Sequence, residues 1–271
     1  MSVKAFRQTP AELIQAATEL SGQLQNWRKS LSPLYEPRTP VKSGRFPPNI
    51  TPLHVIYLHY AYYGSLMAIH TIFAYPWISA IFEHDESLAF RNQVALSSNT
   101  IADAARNIVL TARCVEIDAA TPQWYGSSQD MKYRLDIYAE FDPRSAFYYP
   151  MVGLINLFIS LLKNPTLPSA QSDVALLDMV AGHFAHMEFV TSSELAFPFT
   201  REVAALARST VKKAKEESTS AIVPTNLENG QFDLDPTSLV TVRSYLFVYL
   251  RVICRLSNLL TLALAGHFQY G

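Results

Sequence analysis

The chain has 271 residues, 49% hydrophobic and 17% charged; an average soluble domain is about 25% charged, so this balance excludes disorder over most of the length and supplies apolar surface for one large core or two small ones. The 22 Lys and Arg against 23 Asp and Glu leave a net charge of −1 and a pI near 6.7, which excludes a general basic field for nucleic acid. Two cysteines, Cys114 and Cys254, are too few for a cysteine zinc cluster or a secreted disulfide scaffold, and the opening MSVKAFRQTPAEL lacks the apolar stretch and cleavage site of a signal peptide, so a reducing compartment is expected.

The first element starts at Thr9, Pro10 and Glu12, a cap residue, a proline at the first helical position and a glutamate three residues after the cap. Leu13, Ala17, Leu20, Leu24, Trp27 and Leu31 follow at 4-3-4-3-4 spacing, one face of an amphipathic helix ending near Leu31. Prolines at 33, 37, 40, 47 and 48 with Gly44 break helix and strand alike, so residues 32–52 read as a linker or draped loop. Thr51 and Pro52 repeat the cap-and-proline start. From Leu53 to the closing Pro76 apolar residues occupy nearly every face, as in a helix at the centre of a bundle. Gly64 in its middle costs about 1 kcal/mol against alanine, which a close helix crossing would offset.

The next helix is predicted over about 98–116, with Ile101, Ala104, Ala105, Ile108, Ala112 and Val115 on one closely packing face. Residues 118–142 lose the periodicity around Gly126, Ser127, Ser128 and Gln129, a long surface connection with one short helical piece over 131–139. Met151, Leu154, Ile155, Phe158, Leu161 and Leu162 mark a further helix stopped by Asn164 and Pro165. Ser169 or Ser172 caps another that bears Leu177, Val180, Phe184 and Met187. For the next helix two starts compete, a capping box of Thr191 with Glu194 and a first-turn proline at Pro198; its face is Val203, Leu206, Ala207 and Val211, ending near Lys215. Pro224, Asn226, Asn229, Gly230 and Pro236 make 216–237 a linker. No series of alternating strands and no repeat of roughly 20–50 residues occurs. The fold class is therefore all-α, an irregular multi-helix bundle with long Pro-rich and polar connections.

Two stretches imitate membrane spans. Residues 46–82 hold no Lys, Arg, Asp or Glu, yet His54, His59, His70 and the cluster Tyr57, Tyr60, Tyr62 and Tyr63 lie in their midst, whereas aromatic belts sit at the ends of a span; a buried soluble helix is the better account. Residues 244–266 carry Arg251 and Arg255 near the middle, at about 2.5–3.5 kcal/mol each on insertion scales. Membrane attachment through either stretch is a rival reading, and no membrane contact is expected.

Chemistry-bearing motifs are missing. No two of the nine glycines are closer than five residues, so neither GxGxxG nor GxxxxGK exists, and no GxSxG elbow forms. The acids are scattered, and Asp233 and Asp235 fall in the linker, which leaves no aspartate-rich pair for a Mg²⁺-bound diphosphate. His183 and His186 stand three apart on a helix and could share a metal with Glu188 or Asp178. As seam residues bonded to acids or carbonyls they need no metal, and that account is preferred. His54 and His59, five apart, read as core or rim histidines. Arg208, Lys212, Lys213 and Lys215 fit a localisation signal or phosphate contact, but Glu216 and Glu217 follow at once, and a solvated helix end complementing the macrodipole explains them. The run Tyr57, Tyr60, Tyr62, Tyr63, Phe73, Tyr75 and Trp77 reads as core packing ahead of a ligand pocket. No catalytic, metal-binding or DNA-binding residue and no cofactor is assigned, and an effector site is not located.

Four stretches carry a resemblance: LQNWRKSLSP (24–33), HVIYLHYAYYGSLMAIHTIFAYPW (54–77), NTIADAARNIVLTA (99–112) and FYYPMVGLINLFISLLKNPTLPSAQSDVALLDMVAGHFAHMEFVTSSELAFPFTREVAALA (147–207). In order they give a Trp-bearing helix, a Tyr- and His-rich helix, an alanine-rich helix and the string NP-x-LP-x-A-x-SD-x-x-LLD at 164–178. This succession resembles the fungal-specific transcription factor domain, the middle homology region of fungal zinc-cluster transcription factors, over its C-terminal half. The resemblance implies an all-α regulatory region that follows a six-cysteine DNA-binding cluster and sometimes responds to metabolites. Two cysteines cannot supply six ligands, so the family's DNA-binding residues map onto nothing here.

The expectation is a non-enzymatic regulatory module or truncated regulator located in the nucleus. It is expected to act through partners of the transcription machinery, another transcription factor or a small-molecule effector, without direct nucleic-acid contact. Residues 1–216 are assigned to the regulatory region, 217–238 to a polar linker and 239–271 to an apolar C-terminal helix of unknown role. The rival from another class is a helical ligand carrier or metal-dependent enzyme using the aromatic core with His183 and His186.

Overall fold

Short polar caps and prolines set where the helices begin. The computed structural model describes residues 9–37, 41, 50–74, 87–115, 145–193 and 196–220. Among these lie six α helices and no strand: α1 Pro10–Ser30, α2 Pro52–Ala74, α3 Leu88–Ala112, α4 Ser145–Lys163, α5 Ala170–Val190 and α6 Pro198–Ser220. The expected all-α class is the one observed.

At α1 the Glu12 N–H donates to Thr9 Oγ1 at 3.3 Å while the Thr9 N–H donates to Glu12 Oε2 at 2.8 Å, a reciprocal capping box with Pro10 in the first turn. At α2 a histidine takes the glutamate's place. The His54 N–H donates to Thr51 Oγ1 at 3.4 Å and the Thr51 N–H donates to His54 Nδ1 at 3.1 Å. Helix α3 starts ten residues ahead of the expected Ser98, with the Phe90 N–H donating to Ser87 Oγ at 3.2 Å. Its early turns bury Phe90, Gln93 and Ser97; two of those three are polar, so the apolar period that reveals a helix is absent there.

Helix α4 likewise begins before Met151 and runs through Pro150, whose missing N–H leaves one carbonyl of the preceding turn without its helical donor. Ser169 is the cap residue of α5, but its hydroxyl makes no capping bond. The helix ends with the Ser193 N–H on the Glu188 carbonyl at 2.8 Å and the Ser192 N–H on the Phe189 carbonyl at 3.1 Å, a Schellman motif built without glycine. Ser192 and Ser193 accordingly sit at φ 50 and 67. Helix α6 starts at Pro198, so the proline wins over the Thr191 capping box, and it continues through Ser220. The first residues of the expected linker are thus helical. The expected short helix over 131–139, most of the linker and the tail 239–271 lie outside the described residues.

Helix α3, rather than α2, is the hub: it packs along α2 and α4 and also meets α1 and α5, while α5 pairs with α6. Its buried Ala102, Ala104, Ala105 and Ala112 let neighbours approach from several sides. The main core joins α2 to α6 around Tyr60, Leu154, Leu157, Phe158, Leu177, Phe184 and Met187. A smaller cluster of Leu13, Ala17, Phe73 and Phe90 attaches α1. The tight crossing is at Gly153, where a methyl would lie 2.9 Å from Ile108 Cγ2 and 3.3 Å from the Ala105 carbonyl oxygen. Gly64 serves a different purpose from the expected backbone approach, since a methyl there would meet the Tyr149 ring at 2.7 Å. No helix among the described residues is long and apolar enough to cross a membrane.

Candidate functional site

Most of the aromatic run goes into the core. Tyr60, Tyr62, Tyr63 and Phe73 are buried, Tyr60 stacks on Tyr149 with ring centroids 5.0 Å apart, and Tyr57 meets Tyr60 edge-on. Burial pushes the Tyr60 and Tyr149 hydroxyls above the ordinary tyrosine pKa. Tyr75 and Trp77 lie outside the described residues. His54 is the exposed cap partner already described, whereas His59 is buried, and burial lowers its pKa against a weaker opposing hydrogen bond at the Tyr35 backbone.

His183 and His186 do not converge with their neighbouring acids. Asp178 accepts from Arg208 at 2.8 Å and Glu188 from Arg201, so both carboxylates tie α5 to α6. Among the described residues His183 Nε2 is buried without a hydrogen-bond partner, against the expectation of a bonded seam histidine. Burial, with a smaller contribution from His186, lowers its pKa to about 4. No group of three or more potential metal ligands occurs among the described residues. In the basic group, Lys212 faces Glu216 and Lys213 faces Glu217, each at 3.9 Å. Because α6 continues to Ser220, these lysines pair with the following turn and do not complement a helix end as expected.

Two polar networks that periodicity passes over hold the hub helix. Arg106 on α3 donates through Nε and Nη2 to the two oxygens of Asp173 on α5, at 2.7 and 2.9 Å, and through Nη2 to Ser169 Oγ at 3.2 Å. Its Nη1 reaches Asp103 at 2.6 Å. The hydrogen bonds to Asp173 are the main reason its guanidinium pKa lies above the ordinary value. Ser169, whose backbone is helical and whose hydroxyl makes no capping bond, takes part in this network instead. The second network runs from Ser21 on α1 to His70 Nε2 at 3.2 Å, from His70 Nδ1 to Ser97 Oγ at 2.9 Å, and from Gln93 Nε2 to Ser97 Oγ at 3.0 Å. A lone Arg beside two small residues on an alanine-rich helix was the available signal for the first network; the second left none.

One cleft of about 250 Å³ opens where the end of α2 meets the middle of α3 and the end of α4. Asn99, Asp103 and Arg106 line it from α3, and Asn156, Ser160 and Lys163 from α4. Lys163 donates to the Ala74 carbonyl that ends α2, and burial lowers its pKa. Among the described residues, Tyr57, Tyr60, Tyr62 and Tyr63 do not line this cleft.

Two curated proteins are similar to the chain. Each is named an ABC-transporter-regulating transcription factor, one from Aspergillus fumigatus and one from Aspergillus oryzae, and each is 25% identical over 228 residues. The matched part is 81% of this chain and 23% of each relative, so the chain spans less than a quarter of the length of the curated relatives it matches. No family model and no solved structure matches. The similarity is to fungal transcription factors as such, and a family model for the specific regulatory domain is not matched.

Proposed function

We propose that the chain is a regulatory segment of a fungal zinc-cluster-type transcription regulator, acting in the nucleus through contacts and not through catalysis. The observation that carries this reading is the similarity to two transcription factors over 81% of the chain. The succession of helix strings quoted above supports the middle homology region as the finer assignment, with residues 1–216 as its C-terminal half, 217–238 as a polar connection and 239–271 as an appended apolar segment. DNA contact falls to other residues or another chain, because two cysteines cannot build a six-cysteine cluster. By analogy with the relatives' names, the controlled genes include ABC transporters. Leu88 and Phe189, 74% and 83% exposed, are candidate contact points for a protein partner.

The test fuses the full chain to a heterologous DNA-binding module and reads a matched reporter in a fungal host. A several-fold change in reporter output relative to the module alone is expected, with a component of the transcription apparatus cross-linked to the chain. An unchanged reporter together with no such cross-link removes the reading.

A further inference from the structure

The cleft between α2, α3 and α4 is walled in part by charged side chains. Three charged side chains stand on its wall, Asp103, Arg106 and Lys163. Arg106 and Asp103 pair at 2.6 Å, and Asp173, behind the wall, takes two more of the guanidinium's hydrogens. Lys163 has no carboxylate within ion-pair distance among the described residues, and its one hydrogen bond goes to the Ala74 carbonyl. That carbonyl ends α2, and Lys163 itself lies in the last turn of α4. The two helix ends offer only about half a negative charge each and are partly screened, so the exposed ammonium still favours an anion at close range.

The rest of the lining is suited to a small organic acid. Asn99 and Asn164 bring amide groups to the cleft, while Ile159 and Leu167 give it an apolar side. A volume of about 250 Å³ lies just under the roughly 300 Å³ at which ordinary ligand pockets begin, so the occupant has only a few carbons. We infer that the cleft binds a small carboxylate-bearing molecule with a short aliphatic part, its carboxylate on Lys163 and the asparagine amides and its carbons against Ile159 and Leu167. The site is assigned from its own geometry and stands or falls apart from the transcriptional reading.

Calorimetric titration of the purified full chain with isovalerate, succinate, L-leucine and inorganic phosphate tests it. At least one of the three carboxylates binds with submillimolar affinity, and Lys163→Gln weakens that binding by roughly tenfold or more, the loss of one charge-assisted hydrogen bond. Ser160→Leu, which fills the cleft and leaves Lys163 in place, weakens it as well. Should Lys163→Gln fail to keep the parent's circular dichroism and melting point, Ser160→Leu alone decides. The inference is overturned if no carboxylate binds, if a correctly folded variant binds like the parent, or if phosphate binds more tightly than every carboxylate. The reporter assay above is unaffected by any of these results.

Discussion

Replacing Gly153 by alanine probes the α3–α4 crossing on which the main core depends. The added methyl would lie 2.9 Å from Ile108 Cγ2, 3.1 Å from Val109 Cγ2 and 3.3 Å from the Ala105 carbonyl oxygen, where about 3.5–4.0 Å is comfortable between carbons. Ile108 and Val109 are fully buried and β-branched, so each is held to one χ1 rotamer and cannot swing aside. The third contact is backbone, and the two helices must therefore part by several tenths of an ångström. Such overpacking costs about 1–3 kcal/mol, and alanine's better helix propensity returns about 1 kcal/mol. With stiff neighbours on both sides, a net loss of about 1–2 kcal/mol is expected. Gly182→Ala is the matched control: it sits within α5, is exposed, and a methyl there meets nothing within 4 Å, so propensity alone stabilises it by up to about 1 kcal/mol. Urea unfolding should move the two midpoints in opposite directions. A Gly153→Ala protein as stable as the parent would refute the close crossing, and with it the placement of α4 against α3.

Three further outcomes are expected. Asp173→Ala strands Arg106, whose side chain and that of Asp173 are 25% and 5% exposed; the loss should be about 2–4 kcal/mol in chemical denaturation, somewhat below that of a fully buried pair because Asp103 remains, and Arg106→Met with Asp173→Leu should recover most of it. Ser192→Gly relieves a left-handed serine at φ 50 and should raise stability by about 1 kcal/mol, read as a higher melting temperature. His183 has a folded pKa of about 4 against an ordinary 6.5, so the unfolded chain takes up the proton first; stability is complete above about pH 6.5 and declines as the pH falls toward 4, by at most about 3 kcal/mol from this residue. His59 and His70, also lowered by burial, act in the same direction, and urea midpoints measured across that window should fall less steeply in His183→Gln.

Features decided within a few residues were legible in the sequence. The capping box at Thr9 and the cap-and-proline start at Thr51 are local, as is the stripe Leu177, Val180, Phe184 and Met187 that α5 buries. The first half of α3 was illegible because its inward side chains Gln93 and Ser97 look solvent-facing until His70, on a different helix, supplies the partner. Arg106 and Asp173 are 67 positions apart, and Lys163 and Ala74 are 89 apart; no spacing rule connects residues at such separation. For His183 and His186 the pair was visible, but the direction of its neighbours was not, since Asp178 and Glu188 are claimed by arginines of α6.

The second polar network adds a directional contact to the apolar cluster that attaches α1. Helix α1 buries Leu13 and Ala17, packs the partly buried Ile14 and Leu24 against the core and stacks Trp27 on Tyr62, while α2 buries ten residues; that contact is modest against the conformational entropy of ordering a helix of 21 residues. The bond between Ser21 Oγ and His70 Nε2 adds direction to that contact, and the chain behind it bears on the ring's tautomer. Gln93 Nε2 donates to Ser97 Oγ, and among the described residues the Ser97 hydroxyl has His70 Nδ1 as its acceptor. With the Ser97 hydroxyl as donor, Nδ1 is unprotonated, Nε2 carries the hydrogen, and Ser21 accepts it. A proton added at Nδ1 turns an acceptor into a donor, and the Ser97 proton loses its acceptor among the described residues. Burial and bonding thus agree in keeping His70 neutral, and its protonation loosens the contact of α1 with α2 and α3.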